Sequence, residues 1–72
     1  MNDIVISNRI RALRLARGAF TQEQLAAACG VTRQTSIALE AEKYSPSLEL
    51  AFKLATALDC KLEDVFQCAE KK

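Results

Sequence analysis

The chain has 72 residues and a mass of 7.9 kDa, room for a single domain with one small core. Half of its residues are hydrophobic, 26% are charged and the net charge is +1, a composition too apolar for disorder and too charged for a membrane span. Histidine is absent, which removes the commonest general base and metal ligand, and Cys29, Cys60 and Cys68 form no CxxC pair of the kind that builds a zinc site or a disulfide framework.

Helix signals repeat along the chain and strand signals are scarce. Ile10, Leu13 and Arg17 share one helical face, with Ser7 placed to cap the first turn and Gly18 to stop the helix. Thr21 opens a second helix, and Gln24 three residues later completes a capping-box pattern. Leu25, Ala28 and Cys29 form its expected inner face, and Gly30 ends it. A third helix runs from an N-cap at Thr32 to about Ala41. At about 100° per residue, Val31, Thr35 and Leu39 fall on one side, and Arg33, Gln34, Ile37 and Ala41 on the other. Only residues 29 to 32 join the second helix to the third, which makes a helix-turn-helix pattern with arginine and glutamine on the outer face.

Residues 43–46 form a loop. Ser47 then caps a fourth helix whose polar residues, Glu49, Lys53 and Thr56, make only a narrow stripe. So little wet surface predicts burial on two sides, the second against a partner chain. A fifth short helix covers Leu62 to Phe66. The β-branched triplet Ile4-Val5-Ile6 either pairs with the C-terminal segment, within or between subunits, or packs as a staple on the first helix with a frayed tail.

No uncharged run approaches the roughly 20 apolar residues of a spanning helix, and Asp3 stands where a signal peptide would carry positive charge. The expectation is a cytoplasmic chain with reduced thiols. A redox-sensing thiol is the alternative, with Lys61 the only adjacent basic residue. Charge is polarised: residues 1–35 carry five arginines against Asp3 and Glu23, and residues 36–72 five lysines against seven acids. Such a distribution either presents one face to phosphate or is a solvated surface.

Three segments, Thr21-Gln22-Glu23-Gln24-Leu25-Ala26, Gly30-Val31-Thr32-Arg33-Gln34-Thr35 and Lys43-Tyr44-Ser45-Pro46-Ser47-Leu48, resemble the Cro/C1-type (XRE) helix-turn-helix family. The likeness runs from about Ile10 to Phe66. It is nearest to the family's very small dimeric, cytolysin-repressor-like bacterial and phage regulators. The resemblance implies an all-α, five-helix, lambda-repressor-like domain whose third helix enters the major groove, here with the option of a terminal strand pair. It implies that Gln22 meets phosphate and the recognition helix, that Thr32, Arg33 and Gln34 reach the DNA, and that Lys43, Tyr44 and Ser45 grip its backbone. It further implies an ion pair between Arg14 and Glu40. Arg9, Arg11 and Arg17 either add to a positive field or line a solvated helix face.

Physical reasons accompany those assignments. Arginine can bond O6 and N7 of guanine, and glutamine N6 and N7 of adenine; Ile37, on the same face, suits a thymine methyl. Amides at helix starts suit phosphate oxygens. The chain departs from the family at Ser36, where an aliphatic core residue is usual, at Ile37, where a polar one is common, and at Glu42, which replaces a helix-ending glycine. Ala19-Phe20 also lengthens the first turn by one residue. Ser36 is expected to bond back to the Thr32 carbonyl while weakening the packing. Glu42 is expected to strain the backbone and to set a negative charge close to phosphate, so that reversion to glycine would raise stability and tighten binding.

The expected whole is one domain over residues 1–72, with a core of about 10–66 and terminal extensions at 1–6 and 67–72 that are candidate dimerisation strands. Its expected partners are double-stranded operator DNA and a second copy of itself. No membrane, small-molecule ligand, cofactor or metal is implied. The expected function is sequence-specific transcriptional regulation, as a repressor. The alternative is an antitoxin-like or adaptor protein-interaction module in which DNA binding is weak or lost. An enzyme is disfavoured because no nucleophile–base pair or phosphate-binding glycine loop can be assembled.

Overall fold

The computed structural model describes residues 3–18 and 20–71, with the side chains of residues 3 and 69–71 left aside. Ala19, the ends of both terminal extensions and any further length of the first turn lie outside the described residues. In chain order the elements are β1 (Asp3–Asn8), α1 (Ile10–Ala16), α2 (Gln22–Cys29), α3 (Arg33–Glu40), α4 (Leu48–Ala57), α5 (Leu62–Val65) and β2 (Phe66–Lys71).

Local chemistry sets most helix starts. Thr21 and Gln24 close a reciprocal capping box on α2, the Gln24 N–H donating to Thr21 Oγ1 at 3.0 Å and the Thr21 N–H to Gln24 Oε1 at 2.9 Å. Thr32 Oγ1 accepts from the Thr35 N–H at 3.2 Å, and Ser47 Oγ from Leu50 at 3.2 Å. Gly30 ends α2 in the left-handed conformation at φ 71°, as a residue without Cβ does at least cost. Ser7 does not cap α1. It lies inside β1 opposite Gln67, and Asn8 Oδ1 takes the Ile10 N–H at 3.1 Å instead. A side chain committed to the strand's alternation cannot also turn back over the helix.

The core gathers Ile10 from α1, Leu25 and Cys29 from α2, Leu39 from α3, Leu50, Leu54, Ala55 and Leu58 from α4 and its end, and Val65 from α5. On α2 the buried arc is Leu25, Ala26 and Cys29, and Ala28 is exposed. The expected inner face is therefore shifted by α3 and α4 packing on adjoining sides of α2. The fifth helix stops at Val65, one residue earlier than its apolar pattern suggests, because Phe66 already has extended angles and opens β2.

β1 and β2 pair antiparallel, from Asp3 opposite Lys71 to Asn8 opposite Phe66. The terminal triplet thus finds its partner within the chain and is not a staple on α1. Ile4, Val5 and Ile6 are all about half exposed, whereas Phe66 at the base of the ribbon packs against the helical core. The ribbon's base is sewn to the helical body by the Arg9 N–H, which donates to the Val65 carbonyl at 2.8 Å.

Candidate nucleic-acid interface

α3 is held from behind. Leu39 and Ser36 face the interior, and Glu40 is the acceptor of a cluster spanning four segments. Arg14 Nε donates to Glu40 Oε2 at 2.8 Å, Arg14 Nη2 and Gln22 Nε2 to Glu40 Oε1 at 3.2 and 3.3 Å, and Arg14 Nη1 to the Phe20 carbonyl at 2.9 Å. Both charged side chains are nearly buried. A forked guanidinium against a carboxylate fixes orientation as well as distance, so α1, the α1–α2 connection and the start of α2 all locate the end of α3.

The opposite side of α3 is open. Arg33, Gln34, Ile37 and Ala41 are exposed, as the helical spacing predicts. Among the described residues, the side chains of Arg33 and Gln34 make no hydrogen bond or ion pair. Ile37 is 40% exposed, a branched apolar side chain beside Arg33 and Gln34. Thr32 stands at the N-terminal edge, its hydroxyl held by the Thr35 N–H and by Thr35 Oγ1 at 3.0 Å. Lys43, Tyr44 and Ser45 are exposed in the loop after α3. The structure therefore brings Thr32, Arg33, Gln34 and Ile37 onto one helix. Gln22 stands beside its far end through Glu40, and residues 43–45 follow directly.

Two departures from family pattern turn out differently from expectation. Ser36 is 1% exposed and its Oγ has no partner; the expected bond to the Thr32 carbonyl is absent, and that carbonyl accepts from the Ser36 N–H at 3.1 Å instead. Glu42 does adopt the left-handed conformation, at φ 62°, but its carboxylate is engaged. Oε2 accepts from the Asn8 N–H at 2.8 Å, so the charge leans on the ribbon and does not stand free beside the loop. Arg17, read as either field or solvated surface, does neither alone. Its Nη1 donates to the Ala57 carbonyl at 3.0 Å and its guanidinium lies 5.2 Å from the centre of the Phe20 ring. Neither bond had a local signal, since Asn8 and Glu42 are 34 residues apart and Arg17 and Ala57 are 40 apart.

Among the described residues no three metal-ligating side chains cluster, and no helix is long and apolar enough to cross a membrane. Cys29 is buried, Cys60 partly buried and Cys68 exposed, all as free thiols.

The helix-turn-helix family matches residues 10–65, the span from the first helix to the end of the fifth. An uncharacterised HTH-type transcriptional regulator of the archaeon Methanocaldococcus jannaschii is 48% identical over 61 residues, covering 85% of this chain and 91% of that one. YgzD of Bacillus subtilis, also an uncharacterised HTH-type transcriptional regulator, is 46% identical over 66 residues, covering 92% and 98%. A third such regulator, from Methanothermobacter thermautotrophicus, is 60% identical over 47 residues, covering 64% and 68%. These relatives thus come from archaea as well as from a bacterium. With capped α2, a glycine-turned connection and an α3 anchored behind and bare in front, the chain belongs to the Cro/C1-type (XRE) helix-turn-helix family.

Proposed function

We propose that the chain is a sequence-specific transcriptional regulator that acts as a homodimeric repressor on a palindromic operator, working as one domain with its core at about 10–66. The observation that carries this reading is the outward side of α3, where Arg33 and Gln34 stand exposed and unpaired beside Ile37. A forked guanidinium and a primary amide are the two side chains best matched to guanine and adenine edges in the major groove, each good bidentate pair discriminating by about 1–3 kcal/mol. Ile37 suits a thymine methyl. Thr32, Gln22, Lys43, Tyr44 and Ser45 serve the phosphate backbone, where contacts fix register. The relatives' description as transcriptional regulators supports the same reading.

Twofold pairing follows from reach. One α3 covers about one half-site, and a dimer reads two half-sites roughly 34 Å apart on the same face of the duplex. Leu48 and Phe52, one turn apart on α4, are 69% and 53% exposed, and this apolar strip supports a second copy as partner. Occupation of a promoter by such a dimer represses by excluding polymerase.

A gel shift with DNA from upstream of the chain's own gene tests the reading. Retardation that is lost in both Arg33→Ala and Gln34→Ala supports it. Intact dimers that leave the DNA unshifted would instead favour a protein-interaction module.

A further inference from the structure

Asn8 lies where β1 passes into α1, and its backbone N–H and two side-chain polar atoms each serve a different residue. Its backbone N–H donates to Glu42 Oε2 at 2.8 Å, its Nδ2 to the Leu39 carbonyl at 2.7 Å, and its Oδ1 accepts from the Ile10 N–H at 3.1 Å. Leu39 is in the last turn of α3, and Glu42, just past that turn, holds the left-handed conformation at φ 62°. The Leu39 carbonyl also accepts from the Glu42 N–H at 3.1 Å. The end of the candidate recognition helix is therefore closed by the base of the terminal ribbon.

We infer that Asn8 and Glu42 are positioning residues, a two-point clamp through which the β1–β2 ribbon fixes the end of α3 and the loop at 43–45 relative to each other for DNA. This rests on the DNA-binding reading above. Two physical considerations carry it. A helix end whose carbonyl is bonded to another element cannot fray or rotate independently of that element. A carboxylate next to Lys43, Tyr44 and Ser45 would repel phosphate if it swung free, and the Asn8 N–H holds it toward the ribbon. The clamp thus also explains how a glutamate is tolerated in that position. The ribbon becomes a part of the reading head that the sequence pattern of the helices alone does not reveal.

The test compares Glu42→Gln with Glu42→Gly, which remove the same charge. Only the glutamine retains an acceptor for the Asn8 N–H. Asn8→Ala, which removes the bond to Leu39 together with the cap on the Ile10 N–H, is the second arm. All are measured against a duplex that the unmodified chain enriches from random DNA and against a shuffled duplex, with circular dichroism confirming that each variant is folded. Glu42→Gln should keep or improve the preference for the enriched duplex. Glu42→Gly and Asn8→Ala should lose about tenfold of it, the loss expected when a bidentate base contact is misaligned. Equal preference in Glu42→Gly and Glu42→Gln overturns the clamp alone. Failure of the unmodified chain to enrich any duplex overturns the DNA-binding reading, and the clamp's role with it.

Discussion

Arg14 and Glu40 meet end to end, Nε to Oε2 at 2.8 Å, with side chains only 10% and 5% exposed, so the recognition helix candidate is tied to the first helix by a nearly buried ion pair. The guanidinium also reaches the Phe20 carbonyl, and Gln22 supplies Glu40 with a third donor. Removal of one member strands the other charge away from water. Arg14→Ala and Glu40→Ala should each cost about 3–5 kcal/mol by urea unfolding. The double variant Arg14→Leu/Glu40→Leu should recover much of that loss. Additive losses in the double variant would mean that the pair does not act as a unit.

Ser36 is the reverse case, a polar group whose replacement should help. Its hydroxyl is buried without a partner. Ser36→Ala leaves the backbone bond to Thr32 in place and removes the unsatisfied oxygen, and should stabilise the fold by about 1 kcal/mol. Thermal unfolding at constant protein concentration checks it, and a lower melting temperature would contradict the assignment of Ser36 to the interior.

For Glu42→Gly, left-handed strain of about 1 kcal/mol is relieved, while a hydrogen bond of similar worth to the Asn8 N–H is lost. The melting temperature should therefore move by less than roughly 4 °C. A rise beyond that would show that the Asn8 bond contributes little.

Burial pushes the Cys29 thiol above its ordinary 9.0, against a smaller opposing pull from the Lys53 ammonium. Because the folded form resists ionisation, the buried thiol stabilises fully below the unfolded value, and that contribution fades as pH rises through the raised folded value. Stability should fall with alkaline pH more steeply than in Cys29→Ala. Under native conditions a thiol reagent should label exposed Cys68 first and Cys29 last. Early labelling of Cys29 would contradict its place in the core.

The parts of the fold legible in the sequence were those set by short-range chemistry. Thr21 with Gln24, Thr32, Ser47 and Gly30 each act on backbone within a turn of themselves, and all four do what their spacing predicts. The outward placement of Arg33, Gln34 and Ile37 followed from helical periodicity alone. Among long-range partners, the pairing of the two terminal segments was one of the options that Ile4-Val5-Ile6 left open, and the structure takes it; others were not legible. Ser7 reads as a cap until the strand register claims it. Ala26 replaces Ala28 in the core because two neighbouring helices decide which arc of α2 is covered. The Asn8–Glu42 bond joins residues that no local pattern connects. Arg14 with Glu40 lies between these cases, since the pair was expected through family resemblance and not through any spacing of its own.

The bare side of α3 is proposed to read base edges as half of a twofold footprint. The most direct test is selection of bound duplexes from random DNA by the purified chain, repeated with Arg33→Ala and Gln34→Ala. The expected result is an enriched inverted repeat with half-sites centred about 10 base pairs apart, and loss of preference at a few symmetric positions in each variant. Enrichment of no sequence, or of a sequence that both variants bind with unchanged preference, would contradict it.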